Sequence, residues 1–200
     1  MRRTAAFIAL MLLLGADASA KRDNRLKVSP NACQGGSYST VNVSDGGTLS
    51  ILFDNFSITA PPGADRGVER RFCNLQVSLN LPQGYSLGVY EVDYRGFTRL
   101  SHKQQADLNV DYTVGRKNKG RGFHRRIRGA YEGEFVFRES LAPNILKRVG
   151  CGDAAVLNIA AMLELKTKNQ PEEAMIVLDS IDGAAPGGLV YHFDLKKCGQ

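Results

Sequence analysis

A period of two runs through most of the chain, and no other feature restricts its folding as much. In 75–81, Leu75, Val77, Leu79 and Leu81 alternate with Gln76, Ser78 and Asn80. In 106–114, Ala106, Leu108, Val110, Tyr112 and Val114 alternate with Asp107, Asn109, Asp111 and Thr113. In 189–195, Leu189, Tyr191, Phe193 and Leu195 alternate with Val190, His192 and Asp194. Successive side chains of a strand point to opposite faces, so each run puts one side on a core and the other in water. An apolar content of 43% with 23% charged residues excludes a wholly disordered or fibrous chain.

Turn formers separate these runs: Asp45-Gly46-Gly47, Pro61-Pro62-Gly63, Pro82-Gln83-Gly84, Asp182-Gly183 and Pro186-Gly187-Gly188. The expected architecture is therefore all-β, an antiparallel sandwich of about nine strands. Residues 174–178, apolar on both faces, suggest a central strand. In 48–60 the phase changes between Phe53 and Phe56, which predicts a bulge near Asp54-Asn55. Residues 153–165 stay undecided: four Ala with Met and Leu favour a helix capped by Asp153, while Leu157, Ile159, Ala161, Leu163 and Leu165 alternate as a strand would.

The N-terminus reads as an address. Arg2 and Arg3 precede the apolar run Ala5 to Leu14, and Ala18-Ser19-Ala20 supplies small residues before Lys21. This is the layout of a secretory signal peptide cleaved after Ala20, and the apolar run is too short to span a bilayer. No later stretch approaches a membrane span. The expected organisation is a signal peptide over 1–20, a basic flexible tail over 21–32 and one domain over 33–200. Export, to the periplasm or outside the cell, disfavours intracellular nucleic acid as a partner.

In an oxidising compartment four cysteines imply two disulfides, for which three pairings exist. Order along the chain favours Cys33 with Cys73 and Cys151 with Cys198. Each closes a loop of about forty to fifty residues, and the chain-entropy model gives roughly 4 kcal/mol per bridge. The absence of a C-x-x-C spacing leaves a zinc site or a redox pair without support.

The formal charge of +6 is concentrated locally. Residues 116–128 hold seven Lys/Arg and no acid: Arg116, Lys117, Lys119, Arg121, Arg125, Arg126 and Arg128. A solvated hairpin running into a strand would look like this, and so would a site for an anionic polymer or an envelope surface.

Catalytic signatures are missing. There is no G-x-S-x-G elbow, no H-E-x-x-H and no phosphate-binding loop, and the three histidines, His102, His124 and His192, lie far apart. Glu132 and Glu134 share a strand face beside Arg126, Arg128 and Arg138, as on a charged outer surface. Asp179 and Asp182 with Gly183 fit a plain turn better than a calcium loop. With no Trp, an aromatic platform for carbohydrate is not evident. No catalytic, cofactor-binding or metal-ligating residue is expected.

The order of several short motifs resembles a secreted family known as domain of unknown function 4360. The landmarks are Cys33-Gln34-Gly35-Gly36-Ser37, Phe53 with Phe56, Arg71 to Asn74, Leu81-Pro82-Gln83-Gly84 and Tyr94-Arg95-Gly96. Further on come Arg128-Gly129-Ala130, Cys151-Gly152, Leu157-Asn158-Ile159, Asp179 to Gly183 and Cys198. The chain departs from the pattern at Gln34, where a Pro is commoner, and near Cys198, where a Trp is missing. The resemblance implies a β-rich fold with 156–165 as strand, and implies no activity. The expected function is a secreted or periplasmic non-catalytic binding or structural module. The alternatives are a secreted hydrolase whose site assembles from distant residues, and a binder of anionic polymers through 116–128.

Overall fold

A computed structural model describes residues 33–34, 38–42, 47–64, 67–115, 120–141, 148–167, 171–178 and 187–199. The described residues form twelve strands. The first six are β1 (Tyr38–Asn42), β2 (Thr48–Phe53), β3 (Ser57–Ala60), β4 (Val68–Ser78), β5 (Tyr85–Leu100) and β6 (Gln105–Val114). They are followed by β7 (Arg121–Arg128), β8 (Tyr131–Ser140), β9 (Val149–Gly150), β10 (Val156–Lys166), β11 (Ala174–Val177) and β12 (Gly188–Lys197). One sheet has eight strands in the order β1-β2-β12-β5-β11-β3, with β8 and β9 also paired to β5; the other has four, in the order β4-β10-β6-β7. Every pairing is antiparallel. The all-β sandwich expected from the alternation is present, with more strands than the nine counted because β3, β9 and β11 are very short.

The alternating residues meet between the sheets. Leu75 and Val77 of β4, Leu108 and Val110 of β6, the alternate residues Leu157, Ile159, Ala161, Leu163 and Leu165 of β10, and Leu189, Tyr191 and Phe193 of β12 form one buried cluster. The undecided segment 153–165 becomes strand from Val156 onward. Val156–Lys166 pairs with β4 on one side and Leu157–Lys166 with β6 on the other, and two long ladders outweigh the helical propensity of its alanines. β11 lies between β3 and β5, as its two apolar faces suggest. The phase change in 48–60 is not a bulge within one strand. The chain leaves β2 at Phe53, turns through Asn55 with φ 149°, and re-enters as β3 against a different neighbour. The bulge lies instead in β5, where the register with β12 shifts between His192 and Phe193. At Gly96, β5 needs its glycine because a Cβ would stand 2.2 Å from the Val177 carbonyl and 2.6 Å from the Phe135 ring.

Two disulfides close the ends. Cys33 is bonded to Cys73 of β4, with the Gln34 amide donating to the Phe72 carbonyl at 3.0 Å beside it. Cys151 is bonded to Cys198, tying the turn after β9 to the end of β12. On the β7–β8 side a polar cluster joins the sheets. Glu139 of β8 accepts from Tyr94 at 2.8 Å and from Tyr112 at 3.3 Å, and pairs with Arg121 at 3.2 Å. Burial, with the nearby carboxylate, pushes both phenols well above their ordinary range, so they keep the protons that they donate to Glu139 at any ordinary pH.

Candidate functional site

The outer face of the four-stranded sheet is a grid whose rows follow from register. Phe72, Met162, Asn109 and His124 make one row. Asn74, Ala160, Asp111 and Gly122 make the next, and Gln76, Asn158 and Thr113 the one beyond. The last two rows, with Gly120, line a groove of about 680 Å³. Its depth comes from Ala160 and Gly122, which put no bulk on this face between the larger side chains around them. A Cβ on Gly122 would sit 2.7 Å from Asp111 Oδ1, and one on Gly120 would lie 3.0 Å from the Thr113 methyl.

Polar groups in the groove fall into two kinds. Gln76 Nε2 donates to Asn158 Oδ1 at 2.9 Å, and Asn158 Nδ2 donates to Thr113 Oγ1 at 3.1 Å, so three strands carry one pre-oriented chain of hydrogen bonds. Asn74 and Asp111 are exposed, and neither side chain has a hydrogen bond or ion pair to another described residue. Phe72 leaves 43% of its surface in solvent one row away.

The opposite end of the same face is a network of charges. Arg70 pairs with Glu164, Lys166 with Glu164 at 2.7 Å and with Asp107 at 3.7 Å, and Arg126 and His124 each reach Asp107 at 2.8 Å. Burial alone would raise the Asp107 carboxyl, but hydrogen bonds from His124, Arg126 and Gln105 outweigh it and hold the group below the usual carboxylate range. Glu164 is lowered in the same way: burial opposes, and Lys166 and Arg70 prevail.

The described basic residues of 116–128 do not share one surface. Arg116, Lys117 and Lys119 lie outside the described residues. Arg121 turns inward to Glu139, and Arg125 lies over the Phe123 ring at 4.8 Å from its centroid. Arg126 and Arg128 belong to the outer face, where Arg126 is paired with Asp107 and Arg128 is exposed.

On the outer face of the other sheet, Glu91, Asp93 and His192 bring three ligand atoms within 4.8 Å of one another, a set that sequence reasoning missed because two strands supply it. Asp93 is nevertheless occupied: its oxygens accept from Arg138 and from Arg95, each at 2.9 Å. Burial would raise this carboxyl, and the two arginines lower it below its ordinary value. Two guanidinium charges at hydrogen-bond distance repel a divalent cation, so the cluster works as an ion network. Glu132 pairs with Arg99 at 2.8 Å on the same outer face, in keeping with the charged surface expected there. Asp179 and Asp182 lie outside the described residues.

The groove residues come from strands distant in sequence, so no local motif carried them. The one available signal was that the outward positions of these alternating runs hold Asn, Gln, Asp and Thr where a merely solvated face more often holds Lys and Glu.

An uncharacterized secreted protein of Arthroderma benhamiae is 21% identical over 150 residues, 75% of this chain and 61% of that protein, so the chain spans less than two thirds of its relative. Among solved structures, a family 11 carbohydrate-binding module from Clostridium thermocellum, determined with a β-1,3-1,4-mixed-linked tetrasaccharide, is 8% identical. It aligns over 88% of this chain and 93% of its own, with a TM-score of 0.20, a superposition too loose to carry any argument about ligand or site. No helix among the described residues is long and apolar enough to cross a membrane. The model described as Domain of unknown function (DUF4360) matches residues 24–198, and the chain belongs to that family.

Proposed function

We propose that the protein is an exported, non-catalytic binding module that takes a glycan on the outer face of its four-stranded sheet. It is made with a signal peptide over 1–20, cleaved after Ala20, and works as a basic tail over 21–32 followed by one domain over 33–200. The observation that carries the reading is the groove itself. An open trough about 680 Å³ in volume is lined by amide, hydroxyl and carboxylate side chains on a rigid sheet, with an exposed phenylalanine at its end. Sugar hydroxyls donate and accept at once, and side-chain amides and hydroxyls answer both needs without charge. Hydrogen bonds already made among Gln76, Asn158 and Thr113 hold these groups in place, which lowers the ordering cost of binding. The acids elsewhere on this face, Asp107 and Glu164, are held ionised by cations, so they offer no proton donor for glycosidic cleavage.

Affinity electrophoresis of residues 21–200 through gels containing soluble polysaccharides tests the reading. Retardation by at least one glycan is expected, with no release of reducing ends on prolonged incubation. Unretarded migration in every gel would refute glycan binding, and reducing-end release would turn the assignment to a hydrolase.

A further inference from the structure

We infer, building on that reading, that Asn74, Ala160 and Asp111 form the seat for one uncharged sugar ring, and that Asp111 grips a pair of its hydroxyls and excludes anionic sugars. Ala160 lies in register with Asn74 on one side and Asp111 on the other. Two strand spacings place these flanking residues about 9.6 Å apart at their Cα atoms, with the alanine methyl as floor between them. A pyranose ring laid flat on that methyl has hydroxyls at both edges, one edge facing the Asn74 amide and the other the Asp111 carboxylate.

The two flanking groups are uncommitted, whereas most polar groups around them on this face are not. Asp107 and Glu164 are held by cations, and Gln76, Asn158 and Thr113 by one another. Asn74 and Asp111 have no such partner among the described residues, so a ligand engages them without breaking an internal bond. A carboxylate is an acceptor only and takes two O–H donors side by side, which suits neighbouring hydroxyls. Gly122 completes the seat. The Asp111 carboxylate leans over Gly122, into the space that a Cβ there would take, and so leaves the alanine floor clear for a ring while one edge of that ring reaches it. The charge that strengthens these hydrogen bonds also repels a carboxylated or sulfated ring.

Titration of the mature protein, residues 21–200, with neutral hexose oligosaccharides and with oligogalacturonate, followed by amide chemical shifts, tests the seat. Neutral oligosaccharides are expected to shift the amides of residues 74, 111 and 160, and oligogalacturonate to bind at least about tenfold more weakly. A160L, which fills an exposed position on a sheet and should fold normally, is expected to lose binding by about tenfold or more. D111N keeps an acceptor without the charge and is expected to weaken binding by about tenfold, and D111L to abolish it. Neutral glycan bound equally well by wild type, A160L and D111L would overturn the seat while leaving glycan binding standing. So would tighter binding of oligogalacturonate. Calcium chloride alone shifting the Asp111 amide at millimolar concentration would reassign the carboxylate to a cation. If no glycan binds wild type at all, the proposed function fails and takes the seat with it.

Discussion

The Tyr94 ring lies flat against Phe123, with centroids 3.8 Å apart and planes 10° from parallel. Tyr94 belongs to β5 of the larger sheet and Phe123 to β7 of the smaller one, so this stack joins the two layers on the β7–β8 side. Phe123 also approaches Phe137 at 6.3 Å, and Phe137 stacks on Phe135 at 5.0 Å. The basic strand that borders the groove is held down by this aromatic column.

Truncating the column should therefore be costly. F123A removes a buried ring and leaves a cavity between the sheets, and a loss of about 3–5 kcal/mol is expected. F123L should cost clearly less. Urea unfolding followed by tyrosine fluorescence checks both, and equal midpoints for wild type and F123A would show that the stack does not hold the layers together.

Acid should unfold the protein through three carboxylates. Asp93, Asp107 and Glu164 all titrate below their ordinary values in the folded state. A depressed folded pKa means that the stabilisation is complete above the unfolded values of about 3.9 for Asp and 4.3 for Glu, and is lost as pH falls through the lower folded values. Urea midpoints should hold steady from pH 7 to about 5 and fall steeply below about 4. D107N should start from a lower midpoint at pH 7, since it strands Arg126 and Lys166, and should show a shallower decline in acid.

The two disulfides should matter unequally for binding. Replacing either pair with serine is expected to cost about 2–5 kcal/mol, read as a lower melting temperature. Cys73 sits between Phe72 and Asn74 on β4, so loss of the Cys33–Cys73 bridge frees the strand that carries the groove wall. The C33S/C73S variant should lose glycan affinity, whereas C151S/C198S, which releases only the turn after β9 from β12, should keep it at temperatures where both remain folded.

Polyanion binding is a separate expectation for the segment 116–128. Arg121 and Arg126 are spent on Glu139 and Asp107, so they should contribute little, and the exposed Arg125 and Arg128 more. Retention on heparin is expected only at low ionic strength and should vanish by about 0.15 M salt. R125S/R128S should elute earlier than R121S. Firm retention beyond that salt concentration would revive the anionic-polymer reading.

Much of this molecule is legible one strand at a time. The alternation of Leu108, Val110 and Tyr112 with Asn109 and Asp111 reports which side faces a core because a strand has only two sides, and each residue's side is a local property. The cysteine pairs followed from order along the chain in the same way. Where local terms balanced, as in 153–165, only the neighbours decided: β4 and β6 supply two ladders to Val156–Lys166, and a helix there would leave both of them unpaired. The division of 48–60 into two strands also depended on partners, since β2 and β3 answer to different neighbours. The groove is the extreme case. Asn74, Ala160 and Asp111 are unremarkable outward residues in three separate strands, and nothing in the spacing of a single strand says which others will lie beside it. Sequence by itself determined the faces, the strand class and the basic run. Tertiary structure decided the register, and register alone makes one row of an asparagine, an alanine and an aspartate, because hydrogen-bonded pairing between strands is set by the whole sheet and not by any one of them.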